Sequence, residues 1–320
     1  MKKVIIYIIS IIIILFIADF FLGICSRYYI KNHQLTGRYK PLDRLIKEVD
    51  TDIILIGNSA ILNSLDPQLF EDSLSMTCYN GGIIGQGIEF SETIIDCILQ
   101  RHTPKMIILG LRPEEMGGNI GEGIYDVLKP YYKMGYNSID NHFNHKEGIE
   151  RILISSNLIR YNTIWVRVLL YMLFDNTIYQ DNGFMPKEIP STFPKMKYIK
   201  DVSQPVQTKL MCLERIMQKC NKKDIKLFIC YPPVFMTFNT EKLPCIMAVN
   251  NLCKKYNTPC YVDYNNKTFN HCPELFYDNG HVNIKGAELY TKSLTSKIIR
   301  DIKGRFYITT NKKKQDITDL

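Results

Sequence analysis

The sequence predicts an α/β protein built around a central parallel sheet. Short apolar runs rich in β-branched residues alternate with stretches of helical spacing along most of the chain. The runs stop at glycine or proline, as buried strands do when they leave a sheet. Polar turns carrying Ser, Asp and His follow them, at the strand ends where such sheets gather reactive groups. With 320 residues the chain has room for one large domain or two small ones, and 46% hydrophobic with 22% charged residues is ordinary for a globular protein, so disorder is not the default.

The first element is apolar. Met1-Lys2-Lys3 precedes a run from Val4 to Ala18, which Asp19 interrupts and Phe20 to Cys25 resumes. About twenty apolar residues suffice for a helix to cross the hydrocarbon core. Lys2 and Lys3 favour a cytoplasmic N-terminus. No small-x-small cleavage site closes the run, so residues 1–25 read as an uncleaved transmembrane anchor rather than a secretory signal peptide. The expected location is therefore the cytoplasmic (inner) membrane, single-pass, with the rest of the chain extracytoplasmic or periplasmic. Residues 26–50 are mixed and polar, a stalk or an entry helix.

From there the alternation sets in, and residues 51–302 read as the α/β domain. Asp52 to Gly57 is the first buried strand, Ser75 to Tyr79 a weaker second, and Glu89 to Gln100 a helix. Met106 to Gly110 is the third strand. The segment from about 112 to 204 breaks the pattern and reads as an inserted helical cap, with one helix around Ile149 to Leu173. Arg160 and Arg167 within that helix argue against a second membrane span. The alternation resumes with a helix at Val206 to Cys220, a strand at Ile225 to Tyr231, a helix at Glu241 to Tyr256 and a strand at Cys260 to Tyr264. A last helix spans Ile284 to Ile302, and residues 303–320 form a basic polar tail around Lys312-Lys313-Lys314.

The net charge of +8 is spread along the chain without an aromatic-lined basic groove, which speaks for no nucleic-acid partner. The 10 cysteines include no CxxC pair and no Cys/His cluster of zinc spacing, so their pairing stays open. His102, His142 and His145 lack a carboxylate pair or HExxH pattern and read as surface histidines. No metal or organic cofactor is implied. Gly81 to Gly87 lacks the Lys-Ser/Thr of a phosphate loop. Tyr131, Tyr132, Tyr136 and Trp165 read as cap packing ahead of sugar stacking.

The chemistry gathers in two places. Ser59 follows the first strand directly, in Gly57-Asn58-Ser59-Ala60. Alone it reads as a helix N-cap. Tyr277-Asp278-Asn279-Gly280-His281 stands just before the last helix. Three-residue spacing lets Asp278 orient one imidazole nitrogen of His281 while the other faces a nucleophile; alone it also fits a solvated polar turn. A serine hydroxyl needs such a base.

Together these blocks resemble the SGNH (GDSL-like) hydrolase superfamily. Gly57-Asn58-Ser59-Ala60 resembles its first block, with Asn58 in place of the usual Asp, and Asn80-Gly81-Gly82 resembles its second. Asp278-x-x-His281 resembles the last, down to its place before the closing helix. The resemblance implies a flavodoxin-like three-layer sandwich, a Ser59 nucleophile, His281 as base, Asp278 as its orienting acid, and an oxyanion hole of Ser59 and Gly82 or Gly81 N–H groups. The third block departs: Gly110-Leu111-Arg112-Pro113 stands where the family has Gly-x-Asn-Asp, leaving Arg112 as the substitute donor or a substrate ligand. Asn63-Ser64-Leu65-Asp66-Pro67 and Asp181-Asn182-Gly183-Phe184 are similar to a membrane-anchored branch associated with acylation or deacylation of cell-envelope polysaccharides. That implies a serine esterase or acyltransferase acting on O-acyl, foremost O-acetyl, groups of an acylated glycan, with a membrane-bound O-acyltransferase as a candidate partner. The alternative is a non-catalytic envelope-assembly or glycan-binding protein that keeps the fold.

Overall fold

The computed structural model describes residues 2–118, 127–174, 180–200, 202–239 and 243–318. The described strands are β1 (Ile53–Gly57), β2 (Cys78–Gly82), β3 (Met106–Gly110), β4 (Lys197–Ile199), β5 (Lys226–Tyr231), β6 (Met236–Phe238), β7 (Cys260–Val262), β8 (Phe276–Asp278) and β9 (His281–Val282). The described α-helices are α1 (Lys2–Asn32), α2 (Lys40–Lys47), α3 (Ser59–Ser64), α4 (Pro67–Leu74), α5 (Ile88–Leu99), α6 (Asn137–Asn144), α7 (Gly148–Ser155), α8 (Asn157–Phe174), α9 (Gln207–Lys222), α10 (Pro244–Tyr256), α11 (Lys267–Asn270) and α12 (Ile284–Thr318).

Five strands form one parallel sheet in the order β2-β1-β3-β5-β7, with helices on both sides. This is the flavodoxin-like order, in which the chain reverses its direction of travel between β1 and β3. The predicted fold class therefore holds. One face of the sheet presents Ile53, Leu55, Met106, Ile108, Phe228 and Cys230 to a single buried cluster. Ala287, Tyr290, Leu294 and Ile298 of α12 close it, a spacing of one helix face. The alternate residues Ile54, Ile56, Ile107 and Leu109 are equally buried, so the strands read as unbroken apolar runs rather than alternating ones.

The chain divides into two compact units. The sheet unit comprises Val49–Glu92, His102–Glu122 and Tyr179–Leu320. The other comprises Met1–Glu48, Thr93–Arg101 and Gly123–Ile178. Inside that second unit Asp43 is buried, bonded to Tyr131 Oη at 2.9 Å, Leu35 N–H at 3.0 Å and Lys47 Nζ at 2.7 Å. Residues 26–50 are thus packed, not a bare stalk, and supply α2 with Leu42, Leu45 and Ile46 inward. Tyr131 and Tyr132 are buried, and the Arg160 guanidinium stacks over Tyr132 at 4.9 Å, which makes these aromatics packing residues.

The long apolar element is present as α1, a helix long and apolar enough to cross a membrane. Its interrupting carboxylate is not bare. Asp19 accepts hydrogen bonds from Ser156 Oγ at 2.7 Å, Asn157 Nδ2 at 2.9 Å and Leu158 N–H at 2.8 Å, at the N-terminus of α8. All ten thiols are free.

Candidate active site

The turn that carries Ser59 is set by the end of β1. Gly57 pairs with Gly82 of β2, and a Cβ on Gly57 would lie 2.7 Å from the Gly110 carbonyl oxygen, so only glycine lets the strands approach here. Asn58 then caps α3, its Oδ1 accepting from Ala60 N–H at 2.8 Å, and Ser59 takes the first helical position. The backbone N–H groups of a first helical turn have no acceptor within the helix. The Ser59 N–H is one of these groups.

His281 arrives from the other end of the chain. β8 and β9 pair antiparallel, with Asp278 opposite His281. The Asp278 side chain accepts from Gly280 N–H at 2.7 Å and so closes the turn between them. Asn283 caps α12 through Lys285 N–H at 3.1 Å and Gly286 N–H at 3.2 Å, and its Nδ2 donates to Glu274 O at 2.8 Å. His281 is thereby held on a rigid strand-to-helix junction. Its Nε2 lies 2.8 Å from Ser59 Oγ, and its Nδ1 lies 2.9 and 3.0 Å from the two Asp278 oxygens. Burial works to raise the Asp278 carboxyl, but its bonds to His281 and to the Gly280 N–H outweigh that and hold it below the ordinary carboxylate value. An anionic Asp278 favours the His281 tautomer with its proton on Nδ1, leaving Nε2 free to accept from serine.

The second block is placed differently from expectation. Gly82 N–H donates to Asn80 Oδ1 at 2.9 Å, and Gly81 pairs with Ile56 inside the sheet. Asn80 is buried, with Nδ2 donating to Ile61 O at 3.0 Å and Leu65 O at 2.8 Å. Asn80, Gly81 and Gly82 thus hold the edge of the sheet to α3, and the Gly82 N–H is taken up by Asn80 Oδ1. The cause is the start of β2. Ser75 ends α4 in the left-handed region at φ 53°, so the strand begins at Cys78 and runs on through Gly82. The next backbone donors at this edge lie in the turn after β2. Ile83 N–H donates to Gly57 O at 2.9 Å, which puts that turn beside the Ser59 turn, and Ile84 and Gly85 are exposed.

The third block brings Arg112 to the same edge. Its Nε is 3.0 Å from Glu114 Oε1, and its Nη2 lies where a Cβ on Gly280 would come within 3.1 Å, against the Asp278–His281 turn. Arg112 also lines a cavity of about 260 Å³ with Pro113, Glu114, Ile199, Met236 and Phe238. Asn279 ties the turn to that wall, with Nδ2 donating to Phe235 O at 3.0 Å and Lys195 O at 2.6 Å.

Sequence reasoning missed Glu115. It is fully buried and accepts from Asn58 Nδ2 at 2.8 Å and Arg112 N–H at 3.0 Å through the same oxygen. Burial pushes its carboxyl up to about 7. The signal available was a second carboxylate just past Arg112, in a segment whose turn could not be read from spacing.

Both branch-like stretches are bonded to their surroundings by backbone oxygens or amides near the sheet edge. Asn63 Nδ2 donates to Met185 O at 2.7 Å and Asn80 N–H to Asn182 O at 2.8 Å. Gly183 has φ +84°, and a Cβ on it would lie 2.1 Å from Asn80 O. Among the described residues, no group of three or more His, Cys, Asp or Glu side chains is arranged to hold a metal ion.

No protein-family model matches the chain, and no curated protein matches it significantly. Solved structures similar to it in part include a psychrotrophic esterase, EstA, from Pseudoalteromonas sp., inhibited by monoethylphosphonate. It has 11% identity and a TM-score of 0.43 over 79% of this chain and 99% of that one. A lipase/acylhydrolase from Enterococcus faecalis has 12% identity and a TM-score of 0.39, over 79% and 95%. An acetyl xylan esterase, Est2A, from Butyrivibrio proteoclasticus has 9% identity and a TM-score of 0.35, over 78% and 64%. The strand order of this chain makes its α/β domain flavodoxin-like in architecture, and Ser59, His281 and Asp278 meet at one edge of its sheet.

Proposed function

We propose that the protein is a membrane-anchored serine esterase or acyltransferase that acts outside the cytoplasmic membrane on O-acyl groups of a cell-envelope polysaccharide. One observation carries the reading: Ser59 Oγ and His281 Nε2 stand 2.8 Å apart while His281 Nδ1 is bonded to Asp278. Ser59 lies 222 residues from His281, and packing alone does not require the two to meet.

In this mechanism Ser59 Oγ attacks the acyl carbonyl as His281 Nε2 takes its proton. Asp278 stabilises the imidazolium that forms. The Ser59 N–H and the positive end of α3 face the developing oxyanion, with the Ile84–Gly85 turn supplying the next donors in place of Gly82. His281 then returns the proton to the leaving sugar hydroxyl, and an acyl-Ser59 ester remains. Water resolves it in a hydrolase, and a glycan hydroxyl resolves it in a transferase. Arg112 stands where the third-block donor would be, and its place beside both the Gly280 turn and the cavity fits a role in holding the substrate.

The glycan substrate and the acylation pathway rest on the branch-like stretches around Asn63 and Gly183. The anchor rests on α1, and its orientation on Lys2 and Lys3. The occupied Gly82 N–H and the missing third-block Asn favour the second reading, a glycan-binding assembly protein without catalysis.

The test is ester hydrolysis by the full chain in detergent, with an acetylated glycan and an activated acetate ester as substrates. Ser59→Ala should lower kcat by at least about a thousandfold with an unchanged circular-dichroism spectrum. Acetate release equal to wild type in that variant removes Ser59 from the mechanism. An inactive wild type that still binds the glycan supports the assembly reading instead.

A further inference from the structure

Glu115 is an expensive residue where it stands. Its side chain is 1% exposed, and only Oε2 has hydrogen-bond partners, Asn58 Nδ2 and Arg112 N–H; Oε1 has none among the described residues. A glutamine or an apolar side chain would fill the space at lower desolvation cost. We propose that Glu115 is a positioning residue for the nucleophile: its buried carboxyl holds the Asn58 side chain and, through it, the cap of the helix that begins with Ser59. The inference rests on the serine-hydrolase reading of this site.

The Asn58 side-chain amide is bonded at both its oxygen and its nitrogen. Asn58 Oδ1 accepts from Ala60 N–H at 2.8 Å, and Asn58 Nδ2 donates to Glu115 Oε2 at 2.8 Å. The amide is thereby fixed at both ends, with Ser59 between the capping residue and the capped N–H. An aspartate at position 58, the residue of the resembled first block, would keep the first bond but could not donate the second. It would instead set two carboxyl groups 2.8 Å apart in a buried place, where both cannot ionise and the pair has to share a proton. Asn58 and Glu115 are a matched donor and acceptor. The same Glu115 oxygen closes the Arg112–Glu115 turn, so the carboxyl joins the ends of β1 and β3 beneath the reacting atoms.

The groups around Glu115 are Arg112 and Glu114 on its own turn, Asn58 after β1, Lys209 from α9 and Tyr231 at the end of β5. Lys209 Nζ donates to the backbone oxygens of Glu115 at 3.3 Å and Gly117 at 2.9 Å, which anchors the turn from the side of α9. The buried Tyr231 phenol is raised by burial first, and Glu115 is among the charges that raise it further. Burial holds the Glu115 carboxyl near neutrality, at about 7, so its charge changes in the pH range where the imidazole of a hydrolase also works.

The experiment compares full-length wild type, Glu115→Ala, Glu115→Gln, Asn58→Asp and the double variant Asn58→Asp/Glu115→Gln in detergent. The rate of covalent labelling of Ser59 by a fluorophosphonate is measured across pH, beside kcat and KM for an activated acetate ester. In the labelling step the Ser59 oxygen bonds to phosphorus, fluoride leaves, and the serine proton passes to His281. Glu115→Ala should slow labelling by about 10- to 100-fold, the worth of one to two charge-assisted hydrogen bonds. It should lower kcat and leave KM unchanged, because Glu115 does not touch substrate. Glu115→Gln should cost about tenfold and flatten the pH dependence between about 6 and 8. Asn58→Asp should fall as far as Glu115→Ala. The double variant should recover about tenfold over it, because the new amide at position 115 donates to the new carboxylate. Recovery stays incomplete, since Arg112 N–H then loses its acceptor. Labelling of Glu115→Ala at the wild-type rate overturns the proposal, and so does a double variant no faster than Asn58→Asp. If Glu115→Ala does not fold, the two isosteric single variants and their combination decide. Labelling that persists in Ser59→Ala overturns the hydrolase reading itself, whatever the Glu115 variants do.

Discussion

At the scale of single residues, two buried or half-buried carboxylates of the site shift in opposite directions and make opposite demands on pH. Asp278 is held below its ordinary value, so its contribution to stability is present above about pH 4 and is lost as pH falls through that range. Glu115 is held up at about 7 against an ordinary 4.5, so the fold favours its neutral form. Its contribution is full below the unfolded value and is lost as pH rises to about 7, a swing of about 3 kcal/mol for a group this buried. Glu115→Gln should therefore flatten the stability curve between pH 4.5 and 7 when thermal unfolding is followed in detergent, and parallel slopes for the two proteins would refute the account. Ser59, His281 and Asp278 were legible in the sequence because each follows a recognisable strand or precedes a recognisable helix. The bond from Gly82 N–H to Asn80 Oδ1 depends on where β2 stops, which spacing does not report, and Glu115 was invisible because its partner lies 57 residues away.

At the scale of elements, boundaries followed the local chemistry that periodicity does not report. The strand expected at Ser75 starts at Cys78 because Ser75 is the left-handed cap of α4. The single helix expected at Ile149 to Leu173 is two, α7 and α8, broken at Ser156. Ser156 lies at ψ 125°, outside the helical region, and its hydroxyl donates to Asp19. The last helix runs past Ile302 to Thr318. Asp19, read from sequence as an interruption of α1, turns out to bind the N-terminus of α8, where a carboxylate meets free N–H groups and the positive end of the helix. Asp19→Ala would leave Ser156 Oγ, Asn157 Nδ2 and Leu158 N–H without their shared acceptor. The expected loss is about 1 to 3 kcal/mol, seen as faster proteolysis within Met1–Glu48 and the α7–α8 region while ester hydrolysis by the sheet unit persists. Asp19→Asn should lose less, since one oxygen acceptor remains. Proteolysis at the wild-type rate in Asp19→Ala would show that these bonds carry no stability.

At the scale of the whole molecule, two physical forces could bring the chain to a membrane, and they respond to different solvents. The formal charge of +8 attracts anionic lipid, a force that salt screens to a range of about 3 Å at about 1 M ionic strength. The apolar helix α1 exposes Val4, Ile5, Ile6, Ile13, Ile14 and Phe16 by about half or more, and burying such side chains in hydrocarbon is worth about 1.5 to 3 kcal/mol each. Salt does not weaken that term; it strengthens it slightly through the cost of exposing apolar surface. The two forces also differ in place, because the charge is spread along the chain whereas the apolar surface of α1 is one continuous element of 31 residues. Full-length protein should therefore stay with the membrane fraction through about 1 M salt and alkaline carbonate, and leave it in mild detergent. Deleting residues 1–25 should move the protein to the soluble fraction in salt while hydrolysis of a soluble ester persists, because Ser59, His281 and Asp278 all lie in the sheet unit. Release of the full chain by salt alone would assign its membrane contact to charge, and α1 would then need a different burial partner to account for its exposed apolar surface.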